Sequence, residues 1–201
     1  MIALALDPES ALIRLSPLSS SDAERAQVRA IAERLQRRDT ALMERILEEL
    51  LPDLDRWMYY FMGGRSDRED ATQEALTEIC ASLHRFEGRS SVATLARRIA
   101  WRVANRVRTK RRHEALEVEV ADEAGEAEAA LDAKRALATL LRHLEELPED
   151  QRAVLILCGL EGLSPSEAAE VLSVSANLAR VRLHRARAAL ASRLGARGNR
   201  R

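Results

Sequence analysis

The sequence predicts an all-α fold made of two small helical domains joined by a flexible acidic linker. Three observations carry this. Apolar residues make up 46% of the 201-residue chain but aromatics only 3%, so the core must be built from Leu, Ala, Val and Ile, which suits packed helices. Only eight glycines and five prolines interrupt the chain, too few for the turn punctuation of a β-rich fold. Apolar residues also recur at three- and four-residue steps through most of the length, the period of an amphipathic helix.

Residues 1–21 read as a loose tail, with Pro8, Pro17 and a serine run at 19–21. Helical periodicity starts at Asp22, and a first helix is expected over 22–37. A second is expected over about 39–61, with Leu42, Ile46, Leu50, Leu54, Trp57 and Phe61 in step, and with Pro52 bending or dividing it. Gly63-Gly64 ends it, and Ser66-x-x-Glu69 reads as a capping box for the third helix. That helix carries Ala71, Ala75, Leu76, Ile79, Cys80 and Leu83 on its apolar side. HRFEGRSS, 84–91, is a loop whose Ser90 or Ser91 can cap a fourth helix burying Val92, Leu95, Ala96, Ile99 and Val103. This first domain is set at 22–113.

An acidic, alanine-rich connector at 114–133 has few large apolar residues and is expected to be mobile. A second domain, 134–195, begins ALATLLRHLEEL; Leu147-Pro148 places a proline at the first position of a buried helix that Gly162 ends. Ser164-Pro165-Ser166-Glu167 combines an N-cap, a proline and a capping-box glutamate in front of the short helix EAAEVL. After a turn at Ser173 to Ser175, LSVSANLARVRLHRARAAL supplies the last helix, from Ser175 to Leu190, and a basic tail follows at 196–201. Two helices at a tight turn, the second basic, form the pattern of a DNA-binding helix-turn-helix.

Net charge is zero, but the signs are segregated. Eight basic residues and no acid lie between Arg97 and Arg112; eight acids and no Lys or Arg lie from Glu114 to Asp132; eight arginines and no acid follow Glu170. Solvated helices usually mix both signs, so two sign-pure basic blocks point to a polyanion partner rather than to mere solvation. On the last helix, Ala179, Leu183, Ala186 and Leu190 fall on one face, expected against Ala168, Ala169 and Leu172. The opposite face shows Asn177, Arg180, Val181, His184, Arg185 and Ala188, with Arg182, Arg187 and Arg193 on the flanks. An apolar back with a front of Arg, Asn and His is what base edges and phosphates require. The competing interpretation is a solvated basic helix on a bundle.

The two cysteines, Cys80 and Cys158, lie within apolar helical patterns and are expected as buried thiols in a reducing cytosol. MIALALDPES has six residues before Asp7 and no basic start, so neither a signal peptide nor membrane insertion is expected, and the protein is expected to be cytoplasmic. No cofactor, metal site or catalytic constellation is expected; the four histidines are scattered.

The stretch LPEDQRAVLILCGLEGLSPSEAAEVLSVSANLARVRLHRARAAL, 147–190, resembles the fourth region of the extracytoplasmic-function (ECF) sigma factors of bacterial RNA polymerase. SDREDATQEALTEICASLHRFEGRSSVATLARRIAWRVANRVRTKRR, 66–112, resembles their second region: an acidic helix containing Gln-Glu, a Phe-x-Gly loop and a basic helix. The resemblance implies a promoter-specificity factor without catalysis. It implies that Asp67, Asp70, Gln73 and Glu74 dock on the clamp helices of core polymerase. It further implies that the Phe86–Ser91 loop and the basic helix after it, with Arg98, Trp101 and Arg102, read and melt the minus-ten element. Asn177, Arg180, Val181, Arg182, His184, Arg185 and Arg187 would then meet the minus-thirty-five element, and an anti-sigma factor would hold the protein inactive.

Some positions depart from the family pattern. Leu95, Ala96 and Arg97 stand where aromatics are common, Asn177-Leu178 replaces a Gly-Thr, and Val181 replaces a frequent Ser; these bear on which promoter is read. Trp101 either stacks on an unpaired base, a contact of roughly 1–3 kcal/mol, or packs against the first helices. The alternatives to a sigma factor are a free-standing helix-turn-helix regulator, which would have no use for the acidic helix at 67–78, and a DNA-acting enzyme such as a nuclease, which would need a carboxylate cluster.

Overall fold

A computed structural model describes residues 22–63, 65–114 and 139–198. Among the described residues there are eight helices and no strand: α1 (Asp22–Gln36), α2 (Thr40–Met62), α3 (Arg68–Leu83), α4 (Val92–Glu114), α5 (described over 139–145), α6 (Glu149–Gly159), α7 (Pro165–Leu172) and α8 (Ala176–Gly198). The tail at 1–21, the connector after Glu114 and the last residues, 199–201, lie outside the described residues.

The described chain forms two compact units. One takes 22–58 and Glu69–Val107; the other takes Tyr59–Arg68 and the chain from Arg108 onward. The first unit buries Val28, Ile31 and Leu35 of α1, Ile46, Leu50, Leu54, Trp57 and Met58 of α2, Ala75, Ile79 and Leu83 of α3, and Ala96, Ile99, Ala100 and Val103 of α4. These are the three- and four-residue stripes expected of helices facing one core.

Local chemistry sets the junctions. α1 ends as Arg38 turns to φ 60°. Asp39 then caps α2, accepting from the Leu42 N–H at 3.0 Å and from Arg34 Nε at 2.9 Å. α2 runs through Pro52 without being divided. Ser91, rather than Ser90, caps α4: its Oγ accepts from the Thr94 N–H at 2.9 Å and donates to Thr94 Oγ1 at 2.8 Å. Gly88 in the preceding loop has φ +69°, and a Cβ there would stand 3.4 Å from the Val28 carbonyl oxygen. Only glycine adopts that conformation and that approach without strain.

Several boundaries differ from the sequence expectation. α3 starts at Arg68, so Asp67 rather than Ser66 stands before it. Pro148 occupies the N-cap of α6, with Glu149 as the first helical residue. α6 ends at Gly159, and Gly162 (φ 70°) belongs to the turn that follows, where the Leu163 N–H reaches the Leu157 carbonyl at 3.0 Å. α8 continues past Leu190 because Ala191, Leu194 and Ala196 remain good helix formers. Cys80 and Cys158 are free, and both are half-buried rather than buried.

Candidate nucleic-acid interface and acidic docking face

In the second unit, α8 packs on α6 and α7. The Ser164 capping box is complete: its Oγ accepts from the Glu167 N–H at 3.2 Å, and Glu167 Oε2 accepts from the Ser164 N–H at 2.8 Å. Pro165 follows at the first helical position. The turn to α8 passes through Ser173 in the left-handed region (φ 55°, ψ 44°), and Ser175 Oγ accepts from the Leu178 N–H at 3.2 Å to start α8. A short helix, a three-residue turn and a second capped helix are thereby fixed as a helix-turn-helix.

Ala179, Leu183 and Ala186 are buried, as the wheel requires, together with Ala168, Ala169 and Val171 of α7. Leu190 and Leu172, expected in that contact, are only half-buried, and Val171 takes the buried place. The small alanines permit close approach of the two helices. Asn177, Arg180, Val181, His184, Arg185, Arg187 and Ala188 are all exposed. Arg182 is placed differently: its Nε lies 2.9 Å from Asp150 Oδ2, and its side chain is 24% exposed. The Asp150 carboxylate partly neutralises it and ties α8 to the start of α6.

In the first unit, Asp70, Gln73 and Glu74 are exposed along α3. Glu74 Oε1 meets Arg106 Nη2 at 2.7 Å; the same nitrogen lies 2.9 Å from Glu78 Oε1, and Arg102 donates to Glu78 Oε2. Burial pushes the Glu78 carboxyl up, but hydrogen bonds from Arg102 and Arg106 outweigh it and hold the group below the usual carboxylate range. Four charged side chains thus link the acidic helix to the basic one, a network that the sequence analysis missed. Asp67 belongs to the second unit: Arg111 Nε lies 2.8 Å and Arg65 Nε 3.5 Å from its carboxylate, which is only 12% exposed. It is drawn into ion pairs and is not displayed to solvent like Asp70.

A cavity of about 440 Å³ opens beside the 84–91 loop, lined by Glu78, Ser82, Arg85, Phe86, Leu95 and Arg98 among others. Leu95, expected in the core, is half-buried at this cavity instead, and the alanines Ala93, Ala100 and Ala104 fill the buried side of α4. Arg98 and Trp101 are half-buried, and Arg102 is exposed. Arg97 places its guanidinium 4.4 Å from the ring centroid of the fully buried Trp57.

Among the described residues no group of three or more His, Cys, Asp or Glu could hold a metal ion, and no helix is long and apolar enough to cross a membrane.

Two family models match the chain: Sigma-70 region 2 over residues 46–114 and Sigma-70 region 4 over 137–190. The chain is 32% identical over 145 residues to the ECF RNA polymerase sigma factor SigF of Caulobacter vibrioides (strain NA1000 / CB15N), spanning 67% of this chain and 77% of that one. It is 31% identical over 137 residues to the ECF RNA polymerase sigma factor SigE of Mycolicibacterium smegmatis (strain ATCC 700084 / mc(2)155), spanning 66% of this chain and 53% of that one. Two solved structures share the fold. CnrH, solved in complex with the cytosolic domain of CnrY, matches with a TM-score of 0.62 at 21% identity, covering 84% of this chain and 97% of that chain. The sigma factor RpoE of Bartonella quintana, solved with the anti-sigma factor NepR, matches with a TM-score of 0.61 at 24% identity, covering 76% and 96%.

Proposed function

The chain belongs to the ECF sigma factors of bacterial RNA polymerase, and from that premise we propose how its parts divide the work of directing core polymerase to specific promoters. It is a DNA-binding transcription initiation factor. A first domain, 22–113, docks on core polymerase through Asp70, Gln73 and Glu74 and meets the minus-ten element with its 86–91 loop, Arg98, Trp101 and Arg102. A second domain, 134–195, lays α8 in the major groove of the minus-thirty-five element, with Asn177, Arg180, Val181, His184, Arg185 and Arg187 outward. The acidic stretch 114–133 joins them in the sequence. Asp67 and Arg182, held in ion pairs, contribute to the shape of each surface more than to contact.

The observation that carries this reading is α8 itself. Its back is buried, its front is exposed, and no acid occurs anywhere along it, so nothing on the helix repels a phosphate backbone. The protein acts in the cytoplasm, performs no catalysis of its own, uses no cofactor, and is held in check by an anti-sigma factor. The last of these draws on the anti-sigma factor bound to the structurally similar RpoE.

The test is gel filtration and promoter binding with purified core polymerase. Co-elution with core, and promoter binding by the mixture that neither component gives alone, are expected. Sequence-specific binding by the free chain, with core adding nothing, would favour a free-standing helix-turn-helix regulator.

A further inference from the structure

Among the described residues only three large apolar side chains are exposed: Leu51, Leu178 at 40% and Val181 at 38%. Two of the three sit one turn apart at the start of α8. Neither contributes to the core, and valine is not a preferred residue for an exposed helix position. Folding therefore gives no reason for them.

Their place on the helix does. The inward row runs 179, 183, 186, 190, by steps of four, three and four, buried at its first three positions and half-buried at Leu190. Asn177, Val181, His184 and Ala188 follow the same steps on the opposite side, and all four are exposed. The centre of the outward face is thus this row and not the arginines. Arg180 and Arg187, seven apart, flank it on one side, and Leu178 and Arg185, also seven apart, flank it on the other. An apolar side chain in mid-face, bracketed by cations, matches a major groove: phosphates run along both edges, and the floor offers one apolar group, the 5-methyl of thymine. The N-terminal turns of such a helix are the part that reaches base edges.

We propose that Val181, with Leu178 beside it, is a specificity residue that takes the 5-methyl group of a thymine in the upstream promoter element. This rests on α8 being the reading helix, and adds that one base is chosen by an apolar contact that no arginine supplies. Asn177 and His184, one turn to either side of Val181, then face the neighbouring base pairs.

The test uses the full-length protein with core polymerase on a promoter it binds, replacing each thymine of the upstream element in turn, on either strand, by deoxyuridine. That change removes the methyl and leaves the hydrogen-bonding edge intact. At one position the substitution should weaken wild-type binding about fourfold, the equivalent of about 0.8 kcal/mol for one methyl taken from water. Val181→Ala should lose a similar factor on thymine and no longer distinguish thymine from uracil. Val181→Thr, which keeps the branched shape and one methyl, should retain part of the distinction. A uracil effect unchanged in Val181→Ala, or no thymine with any methyl effect, overturns the proposal. So does a Val181→Ala defect in binding core polymerase with DNA absent, since the apolar pair would then face protein. Arg180→Ala and Arg185→Ala separate the two levels: if they too leave upstream-element binding intact, α8 is not the reading helix and the parent reading fails with it.

Discussion

Arg106 of α4 grips Glu74 of α3, with Nη2 2.7 Å from Oε1, although the two helices carry the charges expected to meet different partners. The same guanidinium reaches Glu78, and Arg102 joins from one turn away. Exposed ion pairs of this kind contribute only about 0–1 kcal/mol each, so they are readily exchanged for stronger partners. A cationic docking surface on Glu74 would release Arg106 toward a phosphate.

The acidic face should therefore be tested on both of its ends. Replacing Asp70 and Glu74 together by lysine should weaken a pull-down with core polymerase at least about tenfold, since like charges brought together cost several kcal/mol. Glu74→Gln alone should cost less, because it removes an attraction that already has an internal competitor in Arg106. The far-ultraviolet circular dichroism should stay helical in both variants. Unchanged pull-down by the double reversal would remove α3 from the docking surface.

Acid should loosen the first unit by a calculable route. The Leu42 N–H and the Arg34 guanidinium hold the Asp39 carboxyl below its ordinary value, and Arg102 with Arg106 does the same to Glu78 against the opposing effect of burial. A depressed carboxyl adds stability that is fully present above its unfolded pKa, about 4, and is lost as pH falls through the lower folded value. Melting temperature should accordingly fall as pH drops below about 4. Asp39→Asn and Glu78→Gln should each flatten that fall while lowering stability at neutral pH. A melting curve with the same acid dependence in the variants would count against both assignments.

Two backbone devices should show their worth in denaturant. Ser164→Ala removes the capping box in front of α7 and should cost about 1 kcal/mol of stability in the second unit. Gly88→Ala forces a Cβ into a left-handed turn against the Val28 carbonyl and should cost about 1–2 kcal/mol in the first. Urea titrations followed by hydrogen exchange can assign each loss to its unit; a loss in the other unit, or none, contradicts the placement.

The arginines of α8 should divide into three classes. Arg187→Ala should weaken binding to all sequences alike and reduce the salt slope by about one ion's worth. Arg185→Ala should flatten the preference at one upstream base, because Arg is shaped to bridge two acceptors of guanine, worth roughly 1–3 kcal/mol of discrimination. Arg182→Ala should leave the salt slope nearly unchanged and lower stability instead, because its charge is already matched by Asp150. Binding-site selection at several salt concentrations checks all three; an Arg182→Ala slope change as large as that of Arg187→Ala would contradict the pairing.

What the sequence disclosed follows the range of the interactions involved. The Ser164 capping box, the Ser175 start of α8 and the buried row Ala179, Leu183 and Ala186 are local patterns within a few residues, and they were legible. The Asp150–Arg182 and Asp67–Arg111 pairs join residues distant in sequence, and nothing in either neighbourhood announces the partner. Alanines misled in another way: Ala93, Ala100 and Ala104 are buried on α4, while the larger Leu95 lines a cavity. The outward face of α8, with Asn177, Val181, His184 and Ala188, was legible too, because helical period alone sets it opposite the buried row.

The central claim is that this chain gives core polymerase its choice of promoter, and in vitro transcription on a genomic promoter library tests it most directly. Purified core polymerase supplemented with the chain should start transcripts from a small, shared-sequence set of promoters. That set should shrink or shift when the outward residues Arg180, Val181 and Arg185 of α8 are replaced by alanine. Starts no more numerous or selective than those of core polymerase alone would contradict it.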